Sequence, residues 1–449
     1  MITAIAIILI ASYVANVIYV MKKGSLSLGL LFMSLVWSIV PFIGYQVIGD
    51  AAFLSENEAV SGLTFLDVIA KTFQSGPEGW GAILMNYLFG AFFGCVMVRT
   101  NITSTLIRKT VELGGDRPAV TVVLLSVILC LISTGVYGTG AMIAMGVVVI
   151  PIYLAMGLPK VVSVVSFIFS CVAGLWLNPA LQTIYINFFS AVKGYEDYTF
   201  HANITSGAIG LAVTLVVSIA GVLIMLKKQK KVHAWGVSSE PRGEGKNAPG
   251  LALITPVIPA ALVIIFGFPV FAAYIISAFY ALLVCKRLKG LSAMAREFTE
   301  SFSDGMSDTA PMLFFLITIA MFNASVPLAQ PYLGYALGPI IPKSTIGITI
   351  IVAAFAALGL FRGPLTLGGS GIATLAILAT AGFRIEFLFP LLMATTMISH
   401  FACCVTQSWT AWGISYAKAD PQEYLKKAFL PLGWIIVILL AIITYVRLG

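Results

Sequence analysis

Residues 118–160 read PAVTVVLLSVILCLISTGVYGTGAMIAMGVVVIPIYLAMGLPK. Two uncharged apolar runs meet here at Thr134-Gly135-Val136-Tyr137-Gly138-Thr139-Gly140, three glycines within six residues with hydroxyls between them. Each run is close to the ~20 residues that cross a hydrocarbon layer. Glycine, however, costs about 1 kcal/mol of helix propensity relative to alanine. Clustering it between two spans frees backbone N–H and C=O groups that lipid cannot satisfy. Such backbone survives only where protein buries it or a wet cavity receives it. A helix broken there also turns the partial positive charge of a half-helix N-terminus toward the gap, where a carboxylate can be held. Close packing of small residues is the competing reading for this tract taken alone.

The rest of the chain has the same solvent. Of 449 residues, 59% are hydrophobic and 10% charged, with a mean hydropathy of +1.01. A soluble domain carries about 25% charged residues to face water, so lipid must face most of this chain. The net charge of +8 does not imply nucleic acid, because Lys and Arg sit in short loops between apolar runs. The six cysteines (Cys95, Cys130, Cys171, Cys285, Cys403 and Cys404) fall inside apolar segments without metal or disulfide spacing, and read as packing residues. The first apolar run precedes Lys22 and Lys23 and lacks a basic leader and a cleavage site, so it is expected to remain as a first span.

Measured by span length, the chain is expected to be an all-α polytopic membrane protein of 11–14 segments, some of them half-spans or re-entrant hairpins. The positive-inside rule places both termini outside, with all of the 26 Lys and Arg inside except Lys71, Lys193, Lys343, Arg384 and Arg447. The expected division is 1–79 and 250–308 as scaffold spans, 80–226 and 309–427 as two related units, 227–249 as a flexible basic cytoplasmic linker, and 428–449 as a last span.

The second unit repeats the order of parts in the first at an offset of about 225 residues. Its interrupted stretch is Arg362-Gly363-Pro364-Leu365-Thr366-Leu367-Gly368-Gly369-Ser370-Gly371. An odd number of spans separates the two, so the units are expected to be inverted, an arrangement typical of secondary transporters with a midplane site. Each tract has polar residues one span later. Asn178 and Gln182 share a helical face at i, i+4 after the first, and Gln407 and Ser408 follow the second. Amides offer donors and acceptors to a carboxylate or hydroxyl, although capping of span ends would also account for them. Arg362 can grip a carboxylate bidentately or serve as a positive-inside anchor. His400 can take up a coupling proton or be structural. Asn101 and Asn323 occupy equivalent places in the two units and are candidates for the flanks of the site.

The substrate-binding candidates are therefore Thr134, Gly135, Tyr137, Gly138, Thr139, Gly140, Asn178, Gln182, Arg362, Gly363, Thr366, Gly368, Gly369, Ser370, Gly371, Gln407 and Ser408. Predicted span cores lack Asp and Glu, which a proton pump or sodium–proton exchanger usually needs there. No catalytic residues, resident metal or cofactor are expected, and backbone carbonyls at the breaks leave room for a bound Na+. His201, His233 and His400 are scattered and no P-loop pattern occurs, which argues against a membrane enzyme and against ATP-driven transport.

The stretches FFGCVMVRTNITSTLIRKTVELGGDRP, STGVYGTGAMIAMGVVVIPIYLAMGLPK and GPLTLGGSGIATLAIL resemble the span, polar helix and paired Gly-rich segments of the ion transporter superfamily. That superfamily of bacterial inner-membrane secondary carriers includes gluconate, citrate and C4-dicarboxylate permeases and sodium–proton antiporters. The resemblance covers residues 80–190 and 309–415; the Ser-Asn-Thr signature of the dicarboxylate/sodium branch is missing. It implies symport of a small carboxylate coupled to H+ or Na+ by alternating access, in a homodimer whose substrate domain moves against a scaffold. The alternatives are a Na+/H+ antiporter and, further off, a passive channel.

Overall fold

The computed structural model describes all residues except 22–24, 49–60, 115–116, 190–194, 196, 228–246, 289, 338, 340–341, 368–370 and 380. Most of the expected linker and three of the site candidates, Gly368, Gly369 and Ser370, thus lie outside the described residues. Among the described residues every regular element is helical.

Helices α1 (Ile2–Met21) and α2 (Leu26–Val47) lead the chain. Helix α3 (Phe65–Ala70) starts at a reciprocal Thr64–Asp67 capping box and runs on through a π turn, Lys71–Ser75. Next come α4 (Gly81–Arg99), α5 (Ile102–Gly114), α6 (Pro118–Gly135), α7 (Thr139–Ala155), α8 (Lys160–Leu175), α9 (Pro179–Phe189) and α10 (Phe200–Lys227). Beyond the linker, a 3-10 stretch (Gly250–Val257) enters α11 (Ile258–Phe266), followed by α12 (Val270–Val284) and α13 (Leu291–Leu337). Helix α14 (Thr345–Ala354) is extended by a 3-10 turn, Ala356–Arg362, and α15 is Gly371–Ala379. Helix α16 (Ile385–Thr395) passes into a π segment, Thr396–Cys403, before α17 (Ser408–Tyr416), α18 (Pro421–Ala428) and, after a further π turn, α19 (Trp434–Leu448).

Among the described residues, six helices are long and apolar enough to cross a membrane, or eight if two bent pairs count as spans. Large apolar side chains on the outer helices are exposed, Ile7, Phe32, Val216 and Val446 among them. With lipid as solvent these are ordinary outward-facing residues. The core lies around two helices that are apolar all round, the pattern of an element enclosed by others. In α8 every residue from Val161 to Leu175 is buried. In α16 and its π extension every residue but Glu386 is buried.

Glycine lets α8 sit this deep. A Cβ on Gly174 would overlap the Cys130 carbonyl oxygen of α6 and come within 2.8 Å of Ser133 Cβ. On the other side, Gly210 of α10 lies against the Trp176 ring just beyond α8, so close that a Cβ would overlap it. Small residues of this kind allow backbones in a bilayer to approach.

Helix α13 departs from expectation. The expected division ends the scaffold spans at 308 and starts the second unit at 309. The helix instead runs 47 residues, through Pro311, Pro327 and Pro331, and the boundary at 308/309 falls inside it. Prolines are tolerated in membrane helices where packing holds the chain, and here Leu328, Ala329, Tyr332 and Leu333 are fully buried. Its first third is charged and meets the end of α4. Arg99 contacts Glu300 at 2.7 Å and Asp304 at 2.8 Å, and Arg287 donates to the Arg99 carbonyl at 3.1 Å.

The order of parts recurs along the chain. Helix, gap, helix, buried helix, gap, short helix begins at 118, 139, 160 and 179, and again at 345, 371, 385 and 408.

Candidate functional site

Four interruptions define the site. At the first, α6 ends on Gly135 and α7 begins at Thr139; Gly138 between them has φ 130° and ψ 149°, a conformation open essentially to glycine alone. A side chain there would touch only Ala91 at 3.8 Å, so backbone conformation rather than space requires glycine. Thr134 is buried and its hydroxyl donates to the Leu131 carbonyl at 2.7 Å. Thr139 and Gly140 open α7, with the Thr139 side chain half-buried.

The second interruption, Trp176 to Asn178, bends the chain by 66° between α8 and α9. Asn178 is fully buried and occupied. Its Oδ1 accepts from the Leu181 N–H at 3.1 Å and from the Tyr274 hydroxyl at 3.4 Å, while its Nδ2 donates to the Ser133 carbonyl at 3.1 Å. Gln182, also fully buried, donates to the Leu175 carbonyl at 3.2 Å and accepts from Asn203 at 3.1 Å. Both amides thus cap the broken helix ends; Asn178 also ties this gap to α6, the helix that precedes the first one, and Gln182 ties it to α10.

At the third interruption, Phe361 and Arg362 are both left-handed (φ 55° and 58°) and throw the chain out of its 3-10 turn. Thr366 donates to the Gly359 carbonyl, and the Gly371 N–H returns to the Thr366 carbonyl at 3.0 Å. Thr395 and Thr396 of the buried helix hold the loop from behind: Thr395 donates to the Leu365 carbonyl at 2.6 Å, and Thr396 accepts from the Leu367 N–H at 3.0 Å. Gly363 is buried and packs on the Leu358 and Leu360 carbonyls.

The fourth interruption follows the π segment, a helix form that concentrates at functional sites. Cys404 Sγ accepts from the Phe361 N–H at 3.2 Å and so joins this gap to the third. Gln407 is the N-cap residue of α17 and is buried, whereas Ser408 next to it is exposed.

Aromatic rings link the two pairs of gaps. Tyr137 meets Trp409 edge-on at 6.4 Å and Tyr87 at 5.4 Å; Trp409 stacks on Phe401 at 5.3 Å, and Phe401 meets Tyr185 at 6.1 Å. Arg362, half-buried, lies over the Phe315 ring of α13 at 5.6 Å. Its guanidinium is within electrostatic reach of Tyr137, Tyr185 and His400. His400 Nδ1 and Gln407 Oε1 are buried without a hydrogen-bond partner. Buried polar atoms are ordinarily paired, so these two mark a place where a further polar group is wanted.

The structure therefore gathers Tyr137, Arg362, His400 and Gln407 around the meeting of the gaps. It assigns Asn178 and Gln182 to internal hydrogen bonds. Asn323 is buried in mid-α13 and donates to the Asn187 carbonyl at 3.4 Å, whereas Asn101 is a left-handed turn residue between α4 and α5. Sequence reasoning passed over Tyr185, Phe401, Trp409 and Phe315, since aromatics in apolar spans read as core. The one usable signal was their spacing: Tyr185 lies three residues after Gln182 and Trp409 two after Gln407.

No protein-family model matches the sequence, and no curated protein matches it. The structure is similar to the crystal structure of the Alcanivorax borkumensis YdaH transporter, reported as having an unusual topology. The TM-score is 0.61 at 14% identity, over 94% of this chain and 98% of that one. The likeness is one of fold, and it neither includes nor excludes the gluconate- and citrate-type carriers that the sequence motifs resemble. Since the likeness runs the length of both chains, the conclusion concerns architecture: this is a multi-pass, all-helical membrane protein with the fold of a transporter.

Proposed function

We propose that the protein is a secondary active transporter of a small organic anion bearing a carboxylate, driven by a proton or sodium gradient through alternating access. The observation that carries this reading is Arg362, a half-buried guanidinium held where four helix gaps converge, within reach of Tyr137, Tyr185 and His400. A guanidinium binds a carboxylate through two parallel hydrogen bonds. The Tyr137, Trp409 and Phe401 rings provide an apolar wall for the body of the substrate. The unpaired Gln407 Oε1, an acceptor, suits a hydroxyl of the substrate, and His400 Nδ1 suits a hydroxyl or, as a donor, a second carboxylate. In this reading the two series of helices are inverted repeats whose relative motion opens the site to each side in turn. A homodimer in a bacterial inner membrane is the setting, with Na+, where used, held by backbone carbonyls at the gaps.

The test is uptake into proteoliposomes under an imposed proton or sodium gradient, with gluconate, citrate and dicarboxylates as labelled substrates. Accumulation of one of them by the wild type, abolished in Arg362→Gln, is expected. Sodium–proton exchange with no dependence on any carboxylate would establish an antiporter instead.

A further inference from the structure

Far along the chain from these gaps, α1 and α2 enclose a cavity of about 350 Å³ lined by Ala15, Asn16, Tyr19, Gly29, Phe32 and Val36, among others. Its wall is almost wholly apolar and opens outward, with Phe32 and Ala15 exposed. Its polar groups are spoken for, with one exception. Ser12 donates to the Leu9 carbonyl at 2.7 Å and accepts from Trp37 Nε1 at 3.0 Å, and the Tyr19 hydroxyl accepts from the Ser25 N–H at 3.2 Å. Asn16 is only 5% exposed, and both its Oδ1 and its Nδ2 are buried without a partner. Gly29 is what admits it, since a Cβ there would overlap Asn16 Oδ1.

An unpaired amide in apolar surroundings is costly, and the depth of this one indicates what would satisfy it. Helix α1 has 20 residues, about 30 Å at 1.5 Å per residue, which matches the hydrocarbon thickness. Asn16 lies five residues before the end of α1 and Gly29 three after the start of α2, roughly 5–8 Å inside the layer. That is a few ångströms below the glycerol esters, which bound the hydrocarbon layer, so an ester carbonyl meets Asn16 when its lipid settles into the trough. From there the apolar wall continues inward from Tyr19 to Ser12 and from Leu28 to Val36, some 10–12 Å.

We propose that this cavity is a phospholipid site: one acyl chain lies in the trough between α1 and α2, and its ester carbonyl accepts a hydrogen bond from Asn16 Nδ2. The site is independent of substrate transport, and so is its test. Native mass spectrometry of the full-length protein, titrated with palmitoyl-oleoyl phosphatidylglycerol in a mild detergent, counts bound lipid per protomer. The wild type should retain one lipid more than Ala15→Trp, in which an exposed alanine is replaced by a ring that fills the trough. Asn16→Leu, which removes the polar group and leaves an apolar helix contact, should bind that lipid about tenfold more weakly, the worth of one hydrogen bond. Thermal unfolding of each variant confirms the fold, and Asn16→Leu alone decides if Ala15→Trp does not fold. Equal lipid counts and affinities in all three proteins would overturn the proposal. So would a change in oligomeric state without a change in lipid, which would assign the trough to a second copy of the chain.

Discussion

Replacing Gly174 by alanine tests how the first gap is built. The added Cβ would overlap the Cys130 carbonyl oxygen and stand 2.8 Å from Ser133 Cβ. Carbon–carbon contacts are comfortable at 3.5–4.0 Å, so α8 and α6 must part by about 1 Å. Helix α8 has no free side to retreat to, because its other faces carry α10, α18 and the π segment after α16. Overpacking of a full core costs about 1–3 kcal/mol, and the upper end applies because the overlapped atom is backbone. Alanine returns about 1 kcal/mol of helix propensity. The net loss is then about 2 kcal/mol, or about 30-fold in the folded population. The movement also strains the bond from Asn178 to the Ser133 carbonyl, and with it the bend into α9. The assay is the half-life of detergent-solubilised protein at a fixed raised temperature, followed by monodispersity. Gly81→Ala is the control: it makes the same chemical change at the start of α4 with nothing within 4 Å, and should match or slightly exceed the wild type. A Gly174→Ala protein as long-lived as Gly81→Ala would refute the reasoning.

Three further outcomes are expected. Arg362→Gln should weaken carboxylate binding, measured by equilibrium binding to purified protein, by about 2–5 kcal/mol or at least about 30-fold; Arg362→Lys keeps the charge but loses the fork and should fall between, and wild-type affinity in both would contradict the assigned role. Asn178→Ala should destabilise by about 1–2 kcal/mol through loss of the α9 cap, with more added by the unmet Ser133 carbonyl. Asn178→Asp keeps the cap acceptor but sets an oxygen against the Ser133 carbonyl in a buried site, so it should be no milder in thermal unfolding. Hydrogen bonds from Thr64 hold the Asp67 carboxyl below its ordinary range, so the capping box is complete above the usual carboxylate value and loosens as pH falls through the lowered one. Amide exchange at Val68, corrected for its intrinsic pH dependence, should then lose protection only in that acidic window, and Asp67→Asn should remove the pH dependence.

What the sequence disclosed was local. The gap at 136–138 was legible because Gly138 must adopt a conformation that only glycine tolerates, and its neighbours are apolar enough to fix the spans on either side. The long course of α13 was not legible. Pro311, Pro327 and Pro331 all disfavour an unbroken helix by propensity, and around the last two the burial of Leu328, Tyr332 and Leu333 against distant helices holds it together. The candidate site divides along the same line. Arg362 and His400 stand out as polar residues in apolar surroundings, and the structure places them together. Asn178 and Gln182 stand out for the same reason, yet their partners, Ser133, Asn203 and Tyr274, are remote in sequence, so their capping duty could not be told apart from ligand binding. Tyr185 and Trp409 gave no chemical contrast at all, and their meeting with Phe401 depends on how two buried helices pack.

The uninterrupted course of α13 has a mechanical meaning. At 47 residues it measures about 70 Å along its axis, far longer than the layer it crosses, held beside α2 and α4 and pinned near one end by Arg99. It carries no gap of the kind that separates α6 from α7 and α14 from α15, and its helical turns run on past Pro311, Pro327 and Pro331. A tilt of about 5° about one end would carry the other through about 6 Å, given the rise per residue. Phe315 lies 11 residues past Asp304, about 16 Å along the axis, so the same tilt about the Arg99 contact moves it, and the guanidinium above it, by about 1.5 Å.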